Sequence, residues 1–233
     1  MPNEKLYLHE IIHIVGTGSD AYKRHTGERE PSGPAGALVG TWQQSGSTGA
    51  WPRVINLWEM DGWDGWASIL EYQYTRGAQP PALRKWWTEA TKYRSGGFDR
   101  ILSPAPYCPT REELVAQGVR GSAFIQEIAR VAPGAADDYL AAVADEWIPI
   151  ATRRGLTLAG AWRTAMRDTE AVLLWCLPTL RDYTRHLADF ATSTKTRTWA
   201  ERARRWRTDY RETLLVPSVW CVMHPDWTPA ARS

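Results

Sequence analysis

The chain has 233 residues, of which 43% are hydrophobic and 23% charged, and its formal net charge at pH 7 is +2. This balance is ordinary for a globular protein and argues against a nucleic-acid-binding protein, which usually concentrates basic residues on one face. The N-terminal residues lack the apolar segment of a signal peptide, and the longest apolar run, Ala171–Leu177, is too short to span a bilayer. We therefore expect a cytoplasmic protein that works without membrane or nucleic acid.

The residue patterns predict the same order of elements twice along the chain. In the first half we expect strands at Leu6–Val15, Leu38–Gln44, Pro52–Glu59 and Ile101–Cys108, helices starting near Ala21 and Asp61, and a helical stretch carrying Trp86 and Tyr93. In the second half we expect strands at Ala123–Val131, Leu156–Met166, Glu170–Leu177 and Leu214–Met223, and helices over Asp137–Arg153, from Thr179, and over the basic segment Lys195–Arg207. The order strand–helix–strand–strand–helix–strand is that of a ferredoxin-like unit.

The two halves also match residue by residue. Tyr7–Ile11 corresponds to Phe124–Ile128, and the motif Leu-x-Gly-x-Trp at Leu38–Trp42 recurs at Leu158–Trp162. Further matched pairs are Asp20/Asp137, Tyr22/Tyr139, Leu57-Trp58/Leu174-Trp175, Trp66/Tyr183, Trp86/Trp199, Tyr93/Trp206 and Cys108/Cys221. The sequence therefore predicts an internal repeat with halves at residues 1–115 and 119–233, and the matched cysteines are expected to be buried thiols.

A ferredoxin-like unit carries its helices on one face of its sheet, so the other face needs a cover. The open face of the second half is the obvious cover for the first. We therefore predict an α+β fold in which tandem ferredoxin-like repeats form a pseudo-dimeric α/β barrel with a central cavity.

Three short motifs resemble those of NIPSNAP proteins. They are Val131-Ala132-Pro133-Gly134 followed by a helix with Tyr139, the two Leu-x-Gly-x-Trp segments, and the Leu-Trp strands at Leu57-Trp58 and Leu174-Trp175. The resemblance implies the dimeric α/β-barrel superfamily, which includes polyketide cyclases, monooxygenases, lyases and haem enzymes. NIPSNAP proteins commonly carry an arginine on the first strand where this chain has Glu10 and Glu127, so an anion-binding role at those two positions is in doubt.

The two first strands of the halves differ at positions that share one face. On this face His9 and His13 of the first half correspond to Gln126 and Arg130 of the second. The opposite faces are aliphatic and should pack under helices, which turns the four polar side chains toward the cavity. Glu10 and Glu127 lie on the aliphatic faces, where a carboxylate is costly unless paired. They are expected to be either structural ion pairs or cavity carboxylates.

Tryptophan is unusually frequent, with 14 residues against three phenylalanines. Core packing is one interpretation of the matched Trp42 and Trp162, and an aromatic wall around the cavity is the other. The two are compatible because the inside of a barrel can be both core and cavity.

These patterns favour a cofactor-independent enzyme that acts on a small apolar or aromatic molecule by acid–base chemistry of the lyase, isomerase or cyclase type. His9 or His13 would be the general acid or base, and Arg130 would hold an oxygen of the substrate. The candidate substrate-binding residues are Glu10, Trp42, Gln126, Glu127 and Trp162.

Two alternatives from other classes stay open. One is a non-catalytic protein that binds a small molecule or a partner, further copies of the chain included. The other is a haem-dependent enzyme that uses the His-rich first strand or His186. No metal site is expected, because His9 and His13 on one strand would lie about 13 Å apart. The segment Gly16-x-Gly18-x-x-Ala21 resembles a dinucleotide fingerprint, but its repeat partner replaces Gly16 with Pro133, which favours a simple turn.

Overall fold

Eight antiparallel strands close into a barrel in the order β1-β3-β2-β8-β5-β7-β6-β4 in the computed structural model, which describes residues 3–29, 33–75 and 77–229. The strands are β1 Leu6–Ile14, β2 Ala37–Gln44, β3 Arg53–Met60, β4 Arg94–Pro104, β5 Ala123–Val131, β6 Thr157–Thr164, β7 Glu170–Leu177 and β8 Arg207–Pro217. Each half contributes four consecutive strands with its first strand in the middle, as the ferredoxin-like prediction requires. The predicted tandem-repeat α+β barrel is therefore confirmed.

The helices lie on the outside of this barrel. They are α1 Ser19–Gly27, α2 Gly62–Tyr74, α3 Pro81–Ala90, α4 Arg111–Ala116, α5 Ala136–Ala142, α6 Ile148–Thr152, α7 Leu180–Thr192 and α8 Thr194–Ala203. A π-helical turn, Val143–Trp147, joins α5 to α6, so the second half has a much longer helical segment after its first strand than α1 provides in the first. No helix within the described ranges is both long and apolar enough to cross a membrane.

The fourth strands begin earlier than predicted. β4 starts at Arg94 and not at Ile101, and β8 starts at Arg207 and not at Leu214. Both strands pair with the full length of a first strand, and their early parts are polar because they reach the open end of the barrel. The basic segment predicted as one helix over Lys195–Arg207 is divided accordingly, since α8 ends at Ala203.

The two halves meet at two short seams. β2 pairs with β8 only over Trp42–Gln44, and β4 pairs with β6 only over Leu102–Pro104. Within each half, by contrast, the first strand pairs along its whole length with its neighbours. The barrel is therefore held across the seams largely by the side chains that fill its interior.

The matched tryptophans fill that interior. Trp42 and Trp162 are each 1% exposed, and they pack edge to face on Phe124 and Tyr7 at centroid distances of 5.6 and 5.3 Å. The glycine two residues before each tryptophan leaves space for the indole. A Cβ at Gly160 would overlap the indole of Trp162, and a Cβ at Gly40 would overlap that of Trp42. The motif Leu-x-Gly-x-Trp is thus a packing device of the barrel core. Cys108, Cys176 and Cys221 are buried free thiols, as expected for the matched pair.

Candidate functional site

The strand pairing places three layers of inward-facing side chains at one end of the barrel, which we call the barrel mouth. The outermost layer contains His13, Arg53, Arg130, Glu170 and Asp209. The second layer contains Ile11, Ile55, Phe98, Ile128, Val172 and Arg211. The third layer contains His9, Leu57, Arg100, Gln126, Leu174 and Thr213. The opening above these layers has a volume of about 640 Å³.

His13 and Arg130 are both exposed in this opening, whereas His9 is buried beneath it at 3% exposure. The expectation that the polar face of the first strands turns inward is therefore met by the geometry. The three candidate catalytic residues do not share one space, however, because His9 lies in the packed third layer.

His9 bonds to the residue that matches it in the other half. Its Nε2 donates to Gln126 Oε1 at 2.7 Å, and Arg100 Nη1 donates to its Nδ1 at 3.4 Å. Burial, and then the Arg100 guanidinium, lower the pKa of His9 to about 4, against the opposing influence of the Gln126 bond and Glu170. The imidazole is therefore neutral and fixed in one tautomer near pH 7, which suits a structural link across the pseudo-twofold axis.

The expected Trp-lined cavity at the centre of the barrel is absent from the described structure. The space left between His9, Trp42, Gln126 and Trp162 is only about 10 Å³, too small for any organic ligand. The interpretation of Trp42 and Trp162 as cavity walls for a substrate is therefore wrong, and the packing interpretation holds. Gln126 likewise serves as the hydrogen-bond partner of His9.

An open cleft lies instead on the outside of the barrel in the first half, between β1, β3, β4 and helices α2 and α3. We call it the helix–sheet cleft; its volume is about 340 Å³. Four tryptophans line it, together with aliphatic side chains from the sheet and from α2. The tryptophans are Trp58, Trp66, Trp86 and Trp87, and the aliphatic residues include Leu8, Met60, Ile69, Leu70 and Ile101. A volume of this size with a mainly apolar lining is typical of small-molecule sites.

Glu10 is the buried carboxylate of the helix–sheet cleft. Its Oε2 accepts hydrogen bonds from Trp58 Nε1 at 2.8 Å and from Asn56 Nδ2 at 3.1 Å. Burial, and then the nearby Asp99, raise the pKa of Glu10 in spite of these donors and of Arg94. Among the described residues no cation lies within salt-bridge distance of it. Glu10 therefore holds its proton to a higher pH than an exposed carboxyl group does.

Arg29, at the end of the segment after α1, partly occupies this cleft. Its guanidinium lies 5.1 Å from the ring centroid of Trp86 and 5.9 Å from that of Trp58. Both distances are within the range of cation–π attraction. The two indole rings therefore already hold a planar group supplied by the chain itself.

The second half shows what fills the same position when no cleft is present. Trp175 and Trp199 match Trp58 and Trp86, and the indole of Trp147 packs on both. Its centroid lies 6.0 Å from that of Trp199 with a nearly parallel ring plane (7°), and 6.3 Å from that of Trp175. Trp147 comes from the π-helical turn that the first half lacks. Trp147 therefore takes, between the two matched indoles of the second half, the position that the Arg29 guanidinium takes between Trp58 and Trp86 beside the cleft of the first half.

The two matched glutamates consequently have different roles. Glu127, 3% exposed, faces Arg207, whose Nη2 lies 3.7 Å from Glu127 Oε2 and also donates to the Tyr139 hydroxyl at 2.5 Å. It is an ion-paired residue in a filled core and lines no described opening. Of the two interpretations of the pair, the structural one therefore applies to Glu127. Glu10 fits neither, because it has no ion-pair partner among the described residues and lines the helix–sheet cleft outside the barrel, not the central cavity.

Sequence reasoning missed most of the helix–sheet cleft. The sequence patterns single out none of Arg29, Trp58, Trp86 and Trp87 as a site residue. The signal that could have found them is a mismatch between the halves, since Trp147 has no tryptophan partner in the first half. His186, the candidate haem ligand, is buried against Phe190 with 6.0 Å between ring centroids. No group of three or more potential metal ligands comes together in the described part of the chain.

No family model matches this chain, and no curated protein sequence matches it. Solved structures do match. An anthrone oxidase-like protein aligns with a TM-score of 0.63 at 6% identity, covering 93% of this chain and 92% of that chain. A candidate monooxygenase from Lactobacillus acidophilus aligns with a TM-score of 0.58 at 11% identity, covering 92% of this chain and 94% of that chain.

Proteins of the NIPSNAP family are also among the similar structures. One from Agrobacterium tumefaciens has 21% identity and a TM-score of 0.37 over 42% of this chain and 88% of its own. The expected likeness to NIPSNAP proteins is thus found among solved structures, and the two matches with TM-scores of 0.63 and 0.58 show that the barrel fold is shared. At these identities the likeness extends to the fold alone.

Proposed function

We propose that this protein binds a small aromatic or apolar molecule in the helix–sheet cleft and acts on it as an enzyme, with Glu10 as the group that moves a proton. The observation that carries the proposal is the contrast between the halves: a packed indole, Trp147, lies between the matched tryptophans of the second half, whereas the first half has the Arg29 guanidinium there and an open cleft beside it. The ligand would occupy that space and displace or stack on Arg29.

The chemistry follows from the burial of Glu10. A buried carboxyl group with a raised pKa is suited to donate a proton in one step and accept one in another. The Trp58 and Asn56 donors hold one of its oxygens, so the carboxyl group is oriented before the ligand arrives. The proposal covers lyase and isomerase reactions that begin with proton transfer, and it involves no cofactor.

Ligand binding can be tested with 5-fluoroindole, followed by fluorine NMR. We expect saturable binding of one molecule per chain, because Trp147 packs between the matched tryptophans in the described part of the second half. Trp86→Ala should weaken binding at least tenfold, since it removes one of the two rings that flank the site. Trp199→Ala is the matched control in the second half and should leave binding per folded molecule unchanged. Equal losses in both variants, or none in either, would contradict the assignment.

Catalysis can be tested with anthrone, which the likeness to the anthrone oxidase-like protein suggests as a first substrate. Anthrone has an acidic methylene group, so proton abstraction is visible as deuterium incorporation from D₂O above the spontaneous rate. Glu10→Gln should retain binding and lose about 10²–10⁴-fold in this exchange, the usual contribution of a general acid or base. Glu127→Gln is the control and should keep the rate. Binding without any acceleration would favour the non-catalytic alternative.

The assignment of catalysis to His13 and Arg130 at the barrel mouth stays a prediction as well. Its test is the same exchange assay with His13→Gln and Arg130→Gln. A visible absorption band in the purified protein would favour the haem alternative.

A further inference from the structure

We infer that the barrel mouth is a second ligand site, which binds a small organic molecule carrying two or more oxyanion groups, either carboxylates or phosphates. This site is on the opposite face of the sheet from the helix–sheet cleft, so it does not depend on the ligand site and the Glu10 chemistry proposed for that cleft.

The inward-facing charges of the mouth are unbalanced. Five guanidinium groups line it, and only two carboxylates, Glu170 and Asp209, face the same opening. Glu212 also borders the opening, but its register opposite the outward-facing Glu127 turns its side chain to the outer face, where it accepts a hydrogen bond from the Tyr210 hydroxyl at 3.3 Å. The guanidinium groups are those of Arg53, Arg100, Arg130, Arg167 and Arg211. The opening therefore holds an excess of three positive charges in a chain whose net charge is only +2.

The carboxylates neutralise only part of this set. Glu170 is 2% exposed and is fully engaged by Arg100 and Thr164, with Arg100 Nε to Glu170 Oε1 at 2.6 Å and Thr164 Oγ1 to the same oxygen at 2.9 Å. Asp209 lies 3.9 Å from Arg211, and both side chains are largely exposed. Its attraction is therefore weak and screened by solvent.

Three guanidinium groups are left without a salt-bridged carboxylate. Arg53, Arg130 and Arg167 make no salt bridge and donate no side-chain hydrogen bond to any residue within 3–29, 33–75 and 77–229. Arg53 and Arg130 stand in the outermost layer on strands of different halves, and Arg167 approaches from the turn between β6 and β7. Several guanidinium groups in one concave opening produce a positive potential there, which attracts an anion that can bind to more than one of them at once.

The shape of the mouth sets the size and character of the ligand. Its volume of about 640 Å³ suits a small molecule. Phe98 forms one wall, with the guanidinium carbon of Arg100 at 4.4 Å and that of Arg167 at 5.5 Å from its ring centroid. This wall can contact a flat organic body while the arginines bind the anionic groups. Below it, Gln126 and Thr213 offer neutral hydrogen-bonding groups.

The test uses citrate and pyrophosphate as probes of the carboxylate and phosphate sources, titrated calorimetrically at constant ionic strength. We expect at least one of them to bind with a stoichiometry of one and a Kd of about 1 mM or tighter. Arg130→Gln and Arg167→Gln should each weaken that binding about tenfold, because each removes a charged hydrogen-bond donor. Arg181→Gln removes a charge from an exposed position on α7 and should change the Kd less than twofold. Whichever probe binds more tightly identifies the oxyanion.

Three results would overturn the inference. The first is a Kd weaker than about 10 mM for both probes. The second is equal weakening in Arg130→Gln, Arg167→Gln and Arg181→Gln, which would mean a general effect of net charge. The third is binding of duplex DNA while neither small anion binds. Glu10→Gln should leave citrate and pyrophosphate binding unchanged, so failure here is separate from failure of the proposal for the helix–sheet cleft.

Discussion

The neutral imidazole at the centre of the barrel should make the protein less stable in mild acid. Burial and then Arg100 hold the pKa of His9 at about 4, whereas a histidine in an unfolded chain titrates near 6.5. As the pH falls from 6.5 to 4, the unfolded chain takes up a proton that folded His9 does not. The free energy of unfolding therefore decreases as the pH falls through this window.

The size of the effect follows from the two pKa values. Between pH 7.5 and pH 5.0 the difference in proton uptake at His9 corresponds to about 2 kcal/mol. The His9→Gln variant should lack this contribution. Glutamine is a suitable replacement because it stands at the matched position of the other half, Gln126, and can bond to that residue.

Urea unfolding of both proteins at pH 7.5 and pH 5.0 gives the four free energies needed. We expect the wild type to lose about 2 kcal/mol more than His9→Gln between the two pH values. His186, whose pKa is also lowered to about 4, is present in both proteins, so its contribution cancels in the difference. Losses that agree within error in the two proteins would show that His9 is not the buried neutral group described here.

Three further outcomes follow from the packing. Trp147→Ala should cost roughly 3–5 kcal/mol and open a second indole-sized space, so added indole should raise the melting temperature of this variant more than that of the wild type. Equal shifts would mean that the space collapses. Gly160→Ala should destabilise the barrel by roughly 1–3 kcal/mol in chemical denaturation, because its methyl group overlaps the indole of Trp162; a neutral result would show that the indole can move. Trp42→Ala should lower stability by roughly 3–5 kcal/mol yet leave 5-fluoroindole binding per folded molecule unchanged, and weaker binding would place the ligand inside the barrel.

The fold could be predicted because the internal repeat is visible in short stretches of matching residues. Matched strands such as Tyr7–Ile11 and Phe124–Ile128 show an alternation that fixes which side chains turn inward, and the element order fixes the topology. The early starts of β4 and β8 were not predictable from hydrophobicity, because those segments are polar and lie at the barrel mouth.

The position of the helix–sheet cleft could not be predicted from the sequence in the same way. Whether a cleft is open depends on the volume left between side chains, and these side chains are far apart in the sequence and meet only in the folded structure. Gly40 and Gly160 let two large rings fill the expected cavity, while a short α1 in the first half leaves a gap that the longer segment ending in α6 closes in the second. Sequence patterns therefore identify buried residues more readily than they identify unfilled space between side chains.

The covalent connection of the two halves explains how such a difference could persist. In a barrel assembled from two identical chains, every substitution occurs twice, so a residue that closes one cleft also closes its symmetry mate. In this chain Trp147 could arise on one side alone and strengthen the second half without a cost to the first. The fused repeat thus lets the two halves differ, so that the second half has a filled core at this position and the first half has an open cleft.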